Sequence, residues 1–156
     1  MNRRTVRYPD FDAVLADVDG LLAGGYDRGG RWTLGQMGHH LATVIEMSMD
    51  GFPSAFPAPF RLLARWLVLG RILRHQRFGA GYAAPKYMEP PDNPDDRAGV
   101  DRLRQAVARF RAHPGPLAPS PLFGRLTAEQ WREVHLWHCE HHFGFLHPMA
   151  AQSPPG

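Results

Sequence analysis

Apolar residues recur at intervals of three and four in five stretches of the chain, and no stretch gives a convincing period-two alternation. The first stretch runs from about Asp10 to Leu22, with Phe11, Val14, Leu15, Val18 and Leu22 at helical spacing, and a glycine-rich turn from Gly24 to Gly30 ends it. The second begins at Thr33 and stops near Gly51, with Leu34, Met37, Leu41, Val44, Ile45 and Ser48 on one face. Thr33 and Gln36 have the spacing of a capping box, in which each side chain satisfies an orphan backbone N–H. A third segment covers about Phe60 to Gln76, followed by an irregular connection from Phe78 to Asn93. The fourth is expected to start at Asn93-Pro94, a cap followed by proline at the first helical position, and repeats Val100, Leu103, Val107 and Phe110. The last spans Thr127 to about Leu146 and opens with a second capping-box pair, Thr127 and Gln130. The pattern predicts an all-α protein.

Prolines and glycines fall between these segments, as in Phe52 to Pro59 and Pro114 to Pro121, and so act as punctuation. A chain of 156 residues, 44% of them hydrophobic, fits a single domain, 1–156, with a core from about 10 to 147. All but one of the 18 basic residues are arginine, the exception being Lys86. A net charge of +3 with no dense basic block argues against a nucleic-acid partner. Cys139 stands alone, so no intramolecular disulfide forms. The arginine-containing start, Met1 to Tyr8, has no apolar run after it and is no signal peptide. A cytoplasmic location is expected.

Nine histidines carry the chemical signal, four of them between His135 and His142. A helical residue turns about 100°, which puts Trp131, Val134, Phe145 and Met149 within roughly 40° of His138, with His142 as near and one turn on. Two adjacent imidazoles on an apolar face need partners for their nitrogens. An i, i+4 pair can direct both rings at one metal ion, as in zinc-binding helices; the competing reading is two hydrogen-bonded core histidines. His40 lies at the edge of the apolar face of the second helix, roughly 80° from its centre, and is the third candidate ligand, whereas His39 points away.

His135 is inward but two turns from His142, about 10 Å along the axis, and cannot share the ion. It is expected either to line a pocket together with Met37, Val44 and Trp131 or to be a hydrogen-bonded histidine. His141 belongs at the rim, and His75 and His113 near helix ends, where they complement the dipole. His147 marks the end of the last helix. Cys139, about 100° off the metal face, reads as a packed thiol.

The run Trp32-Thr33-Leu34-Gly35-Gln36-Met37-Gly38-His39-His40-Leu41 resembles the second-helix motif of the DinB/YfiT-like metalloenzymes. Leu122 to Thr127, then Trp131 and His138-Cys139-Glu140-His141-His142, resemble an uncharacterised branch of that superfamily, and the similarity extends from about Phe11 to Leu146. The resemblance implies an up-down-down-up four-helix bundle with an additional helix and long Pro-rich connections. It also implies a divalent ion, zinc or nickel, held by His40, His138 and His142. Related sequences often place His-Pro before the Phe-Gly element, where this chain has Ser120-Pro121, and Gly144 stands where other branches have a polar or basic residue. Substrate contacts therefore do not carry over.

Three neutral histidines leave an ion with an open position. The first expectation is a metal-dependent transferase resembling thiol S-transferases, with a low-molecular-weight thiol as cofactor; a metal-dependent hydrolase is the rival chemistry. Glu140, roughly 160° from the metal face, and Glu46 are placed outside. The non-catalytic alternative is a structural or stress-response metal site closed by Glu89 or Asp92. The segment Phe60 to Arg74 has a broad apolar side and a basic stripe. It could describe a membrane-surface helix, but a bundle, pocket-wall or dimer-interface helix with rim arginines is preferred, because a bundle needs its apolar face covered. A small-molecule substrate and a homodimer fit this picture; stable membrane insertion does not.

Overall fold

The computed structural model describes residues 2–70 and 85–149. Among them are five α-helices: α1 Phe11–Gly24, α2 Leu34–Asp50, α3 Ala58–Ala64, α4 Asp96–Arg111 and α5 Ala128–Phe143. Helix α3 continues as a π-helical turn, Arg65–Leu69, and a 3-10 turn occupies Lys86–Met88. The part of the expected third helix beyond Gly70, with His75, lies outside the described residues, as does the first part of the connection that follows it, 78–84.

Local side-chain chemistry sets the helix starts. Asp10 caps α1 by accepting from the Ala13 N–H, and both expected capping boxes, Thr33 with Gln36 and Thr127 with Gln130, are formed. At α4 the cap is displaced. Asp95, not Asn93, accepts from the Ala98 N–H, and Asn93 sits in the left-handed region at φ 53°. Asn93-Pro94 therefore belongs to the approach turn, and the helix begins two residues later than the cap–proline pattern suggests.

The chain also forms a two-stranded antiparallel ribbon, which periodicity does not reveal. Strand β1, Tyr26–Arg28, pairs with β2, Leu146–Pro148, placing Asp27 opposite His147. Three-residue strands are too short to generate a readable alternation. The ribbon ends the last helix earlier than expected, at Phe143, and puts His147 on a strand, its ring nitrogen 3.3 Å from the Asn2 carbonyl.

One core joins four helices: Val14, Val18 and Leu21 of α1, Leu34, Met37, Leu41 and Ile45 of α2, Val100, Leu103 and Val107 of α4, and Leu136, Cys139 and Phe143 of α5. Burying each such aliphatic side chain stabilises the fold by roughly 1.5–3 kcal/mol. Helices α2 and α4 meet backbone to backbone. A Cβ on Gly38 would lie 2.5 Å from the Gly99 carbonyl oxygen, and one on Gly99 would lie 2.3 Å from that of Gly35. Only glycine fits this crossing, which fixes the height and rotation of α2 and hence of His40.

Helix α3 and its π turn pack through Ala64 and Leu69 against Phe123, Trp131 and Val134, a second and smaller cluster. Here the orientation expected of a bundle or pocket-wall helix is reversed. Arg61 and Arg65 turn toward the protein while Phe60, Leu62, Leu63, Trp66 and Leu67 face outward. Arg65 donates to the carbonyl oxygens of Phe123 and Arg125, at 3.2 and 2.6 Å, and this anchors the reversed face. No helix of the described residues is long and apolar enough to cross a membrane.

Candidate metal centre

Helix α5 carries His138 and His142 one turn apart, and α2 carries His40 on the facing side. Their ring nitrogens converge: His138 Nε2 lies 3.2 Å from His40 Nε2 and 3.0 Å from His142 Nε2. One ligand atom from each of the three falls within 4.8 Å of the others, so the trio could hold a metal ion. His40 is buried, and His138 and His142 are partly exposed.

The tautomer of His40 follows from its other nitrogen. Nδ1 lies 2.7 Å from the Met88 carbonyl oxygen, an acceptor only, so Nδ1 carries the proton and Nε2 presents a lone pair. This is the outer bond that orients metal-ligating histidines. His138 Nε2 has one proton at most, so it cannot donate to both neighbouring nitrogens. A cation resolves the conflict. At a metal–nitrogen distance of about 2.0–2.1 Å, tetrahedral ligation separates nitrogens by about 3.3 Å, close to the 3.0 and 3.2 Å observed.

Burial pushes the His40 imidazole below its ordinary value, partly opposed by the Met88 bond. His138 and His142 are held well below theirs by burial first and by neighbouring histidines second. The neutral rings that a metal requires are thus the stable form near neutral pH.

The connection before α4, the expected source of a fourth ligand, reaches the site through the Met88 backbone. Glu89 and Asp92 are exposed and outside the cluster, and among the described residues no carboxylate joins the trio. Glu140 does lie away from the trio, yet it is not solvent-facing. It is buried, accepting from the Tyr8 N–H at 2.9 Å and pairing with Arg7 at 3.0 Å. Packing of the N-terminal segment over α5, invisible to a helical wheel, covers it. Glu46 pairs with Arg102 at 2.7 Å.

The remaining histidines separate cleanly. His39 is partly buried beside the Arg102 guanidinium, with Nδ1 at 3.1 Å. His141 stacks on Trp137 and lies 3.3 Å from Arg3; burial and that arginine push it down to about 4. His135, Met37, Val44 and Trp131 are all buried. His135 stacks on Trp131 and, through Nε2, lies 3.1 Å from the Ser48 hydroxyl, which itself donates to the Ile45 carbonyl. It is a hydrogen-bonded core residue. Cys139 is fully buried and its thiol is pushed up by that burial.

Trp32 is a site residue that side-chain periodicity does not single out. Its ring stacks on His142 at 5.3 Å, with 13° between planes, and tilts over His40 at 4.9 Å. The available signal was its place just before the Thr33 cap, five residues from Met37, which reads as a hydrophobic staple rather than as a wall of a metal centre. Tyr26 and Asp96 support the same corner. The Tyr26 hydroxyl donates to Asp96 and accepts from the Leu34 N–H, while Asp96 also accepts from the Gly35 N–H.

No curated protein and no solved structure matches the chain. A family described as "Protein of unknown function (DUF1569)" matches residues 1–149. The chain therefore belongs to that uncharacterised family, and its members are the natural place to look for the His40, His138 and His142 arrangement.

Proposed function

We propose that this protein is a divalent-metal-binding member of the DinB/YfiT-like superfamily, a metal-dependent transferase of the cytoplasm that activates a small thiol. The finer architecture in this reading is an up-down-down-up bundle of α1, α2, α4 and α5 with α3 as the additional helix, in keeping with the core those four share. The observation that carries the reading is the convergence of His40, His138 and His142, with the His40 proton committed to Met88.

Those three histidines would hold the ion, and zinc or nickel suits a set of imidazoles. When bound, the ion supplies positive charge that keeps a coordinating thiol deprotonated. The chain's own residues do the rest. Met88 fixes the ring of His40, Trp32 walls two of the imidazoles, and burial keeps all three ligands neutral. Transfer is preferred to hydrolysis because the nearest carboxylates of α2 and α5 are engaged elsewhere, Glu46 by Arg102 and Glu140 by Arg7 and Tyr8. Neither offers a general base.

Cobalt-substituted protein provides the test. Its visible spectrum should change when a small thiol is added, and the wild type should consume a thiol-reactive electrophile faster than His138→Ala. An unaltered spectrum at saturating thiol, together with a closed shell of four protein ligands, would instead make the ion structural.

A further inference from the structure

Helix α3 turns its apolar side to solvent. Trp66 is 80% exposed and Leu62 64%, with Leu63, Leu67, Phe60 and Phe56 beside them. A bundle helix ordinarily does the opposite, burying its apolar stripe and exposing its charges. Scattered exposed leucines need no explanation, but six large apolar residues exposed between positions 56 and 67, a tryptophan among them, mark a contact surface.

The charge of the sequence that includes α3 limits what can cover this side. Between Asp50 and Glu89 the sequence has no carboxylate, yet it carries Arg61, Arg65, Arg71, Arg74, Arg77 and Lys86. Beside α3 lies an open depression of about 330 Å³ whose lining includes Arg61, Arg65 and Arg125 together with Leu62 and Phe123. Arg65 is tied to the Phe123 and Arg125 carbonyls. Arg61 is different: its Nε is buried and has no hydrogen-bond partner among the described residues. Nε itself is closed to solvent, so an incoming anion would meet the rest of the Arg61 guanidinium at the depression.

A second copy of the chain is a poor occupant. A two-fold contact sets the same patch against itself, opposing cation to cation in a segment with no anion to intervene. An anionic phospholipid surface matches both features. Tryptophan, phenylalanine and leucine favour the boundary between headgroups and acyl chains, and arginine binds phosphate through two parallel N–H bonds.

We infer that α3 docks this protein on the surface of anionic phospholipid bilayers. Trp66, Leu62 and Leu67 enter the interfacial layer while Arg61 and Arg125 engage lipid phosphates at the depression. The contact is peripheral, in keeping with the lack of any helix among the described residues long and apolar enough to cross a membrane.

The full chain, loaded with metal, is sedimented with phosphatidylcholine vesicles that contain or lack phosphatidylserine. It should bind the anionic vesicles on the order of tenfold more tightly than the neutral ones, with the difference shrinking as salt rises. Arg61→Gln with Arg125→Gln should remove on the order of tenfold of the anionic binding. Leu62→Ser with Trp66→Ser should abolish it. Leu62, Trp66 and Arg125 are exposed while the Arg61 Nε is buried, so retained metal content and helicity must verify that both double variants fold. Equal binding to both vesicle types, unchanged binding by either variant, or no binding at all would overturn the proposal. So would a wild-type dimer that Leu62→Ser, Trp66→Ser converts to monomer, which would make the face a contact between copies.

Discussion

His135→Gln should make the protein markedly less sensitive to acid. The His135 ring is buried between Trp131 and Phe110, and burial pushes it down to about 3. In the unfolded chain it titrates near the ordinary value of about 6.5. Between these two values the unfolded state binds a proton that the folded state refuses, so stability falls as pH falls, by about 1.4 kcal/mol per unit. Above about pH 6.5 neither state is protonated there and the residue adds no pH dependence. Taking the wild type from pH 7 to about 4.5 crosses about two units of that window and removes about 3 kcal/mol through this residue alone. That is a large share of a typical total of about 5–15 kcal/mol. Glutamine keeps an N–H for Ser48 and has no proton to gain. Urea unfolding in a chelator, at both pH values, isolates the effect. The cost of the imperfect fit enters at both pH values equally, and the other histidines titrate alike in both proteins. The wild type should therefore lose about 3 kcal/mol more than the variant across this interval. Equal losses would refute the claim that His135 is a neutral, sealed core residue.

Gly99→Ala should destabilise by about 1–3 kcal/mol or more by forcing α2 from α4, and should weaken metal binding as His40 moves; thermal melts and metal titration check both. His39→Ala should leave metal content unchanged, because its Nδ1 faces Arg102. If His39→Ala loses the metal while His40→Ala keeps it, the ligand on α2 is misassigned. Cys139, fully buried with its thiol pushed up, should resist a disulfide reagent in the folded protein and react on unfolding; immediate stoichiometric reaction would place it at the surface.

Much of this fold is legible because it is local. The face predicted for α2, Leu34, Met37, Leu41, Val44, Ile45 and Ser48, is buried throughout. Thr33 and Thr127 cap their helices because a hydroxyl three residues from a glutamine closes both bonds within one turn. The helical turn likewise places His138 and His142 side by side, and the structure brings His40 to them. What escaped the sequence is not local. Periodicity says which side of α3 is apolar, but not that Arg65 would find carbonyls on the 123–125 turn and reverse the helix. Asn93 and Asp95 satisfy the same cap preference, and only the backbone path chooses between them. The Met88 contact to His40 is made by a main-chain oxygen, which any residue could supply. Glu140 looked outward because a wheel of α5 cannot include the N-terminal segment that Arg7 and Tyr8 bring against it.

The proposed function stands or falls with whether His40, His138 and His142 hold one divalent ion. Metal analysis of protein purified without an affinity tag tests it most directly, with wild type set beside the His138→Ala, His142→Ala double variant and His40→Ala. About one divalent ion per chain is expected in the wild type, with strong loss in His40→Ala and none in the double variant. A double variant that folds and keeps the full wild-type content would contradict it.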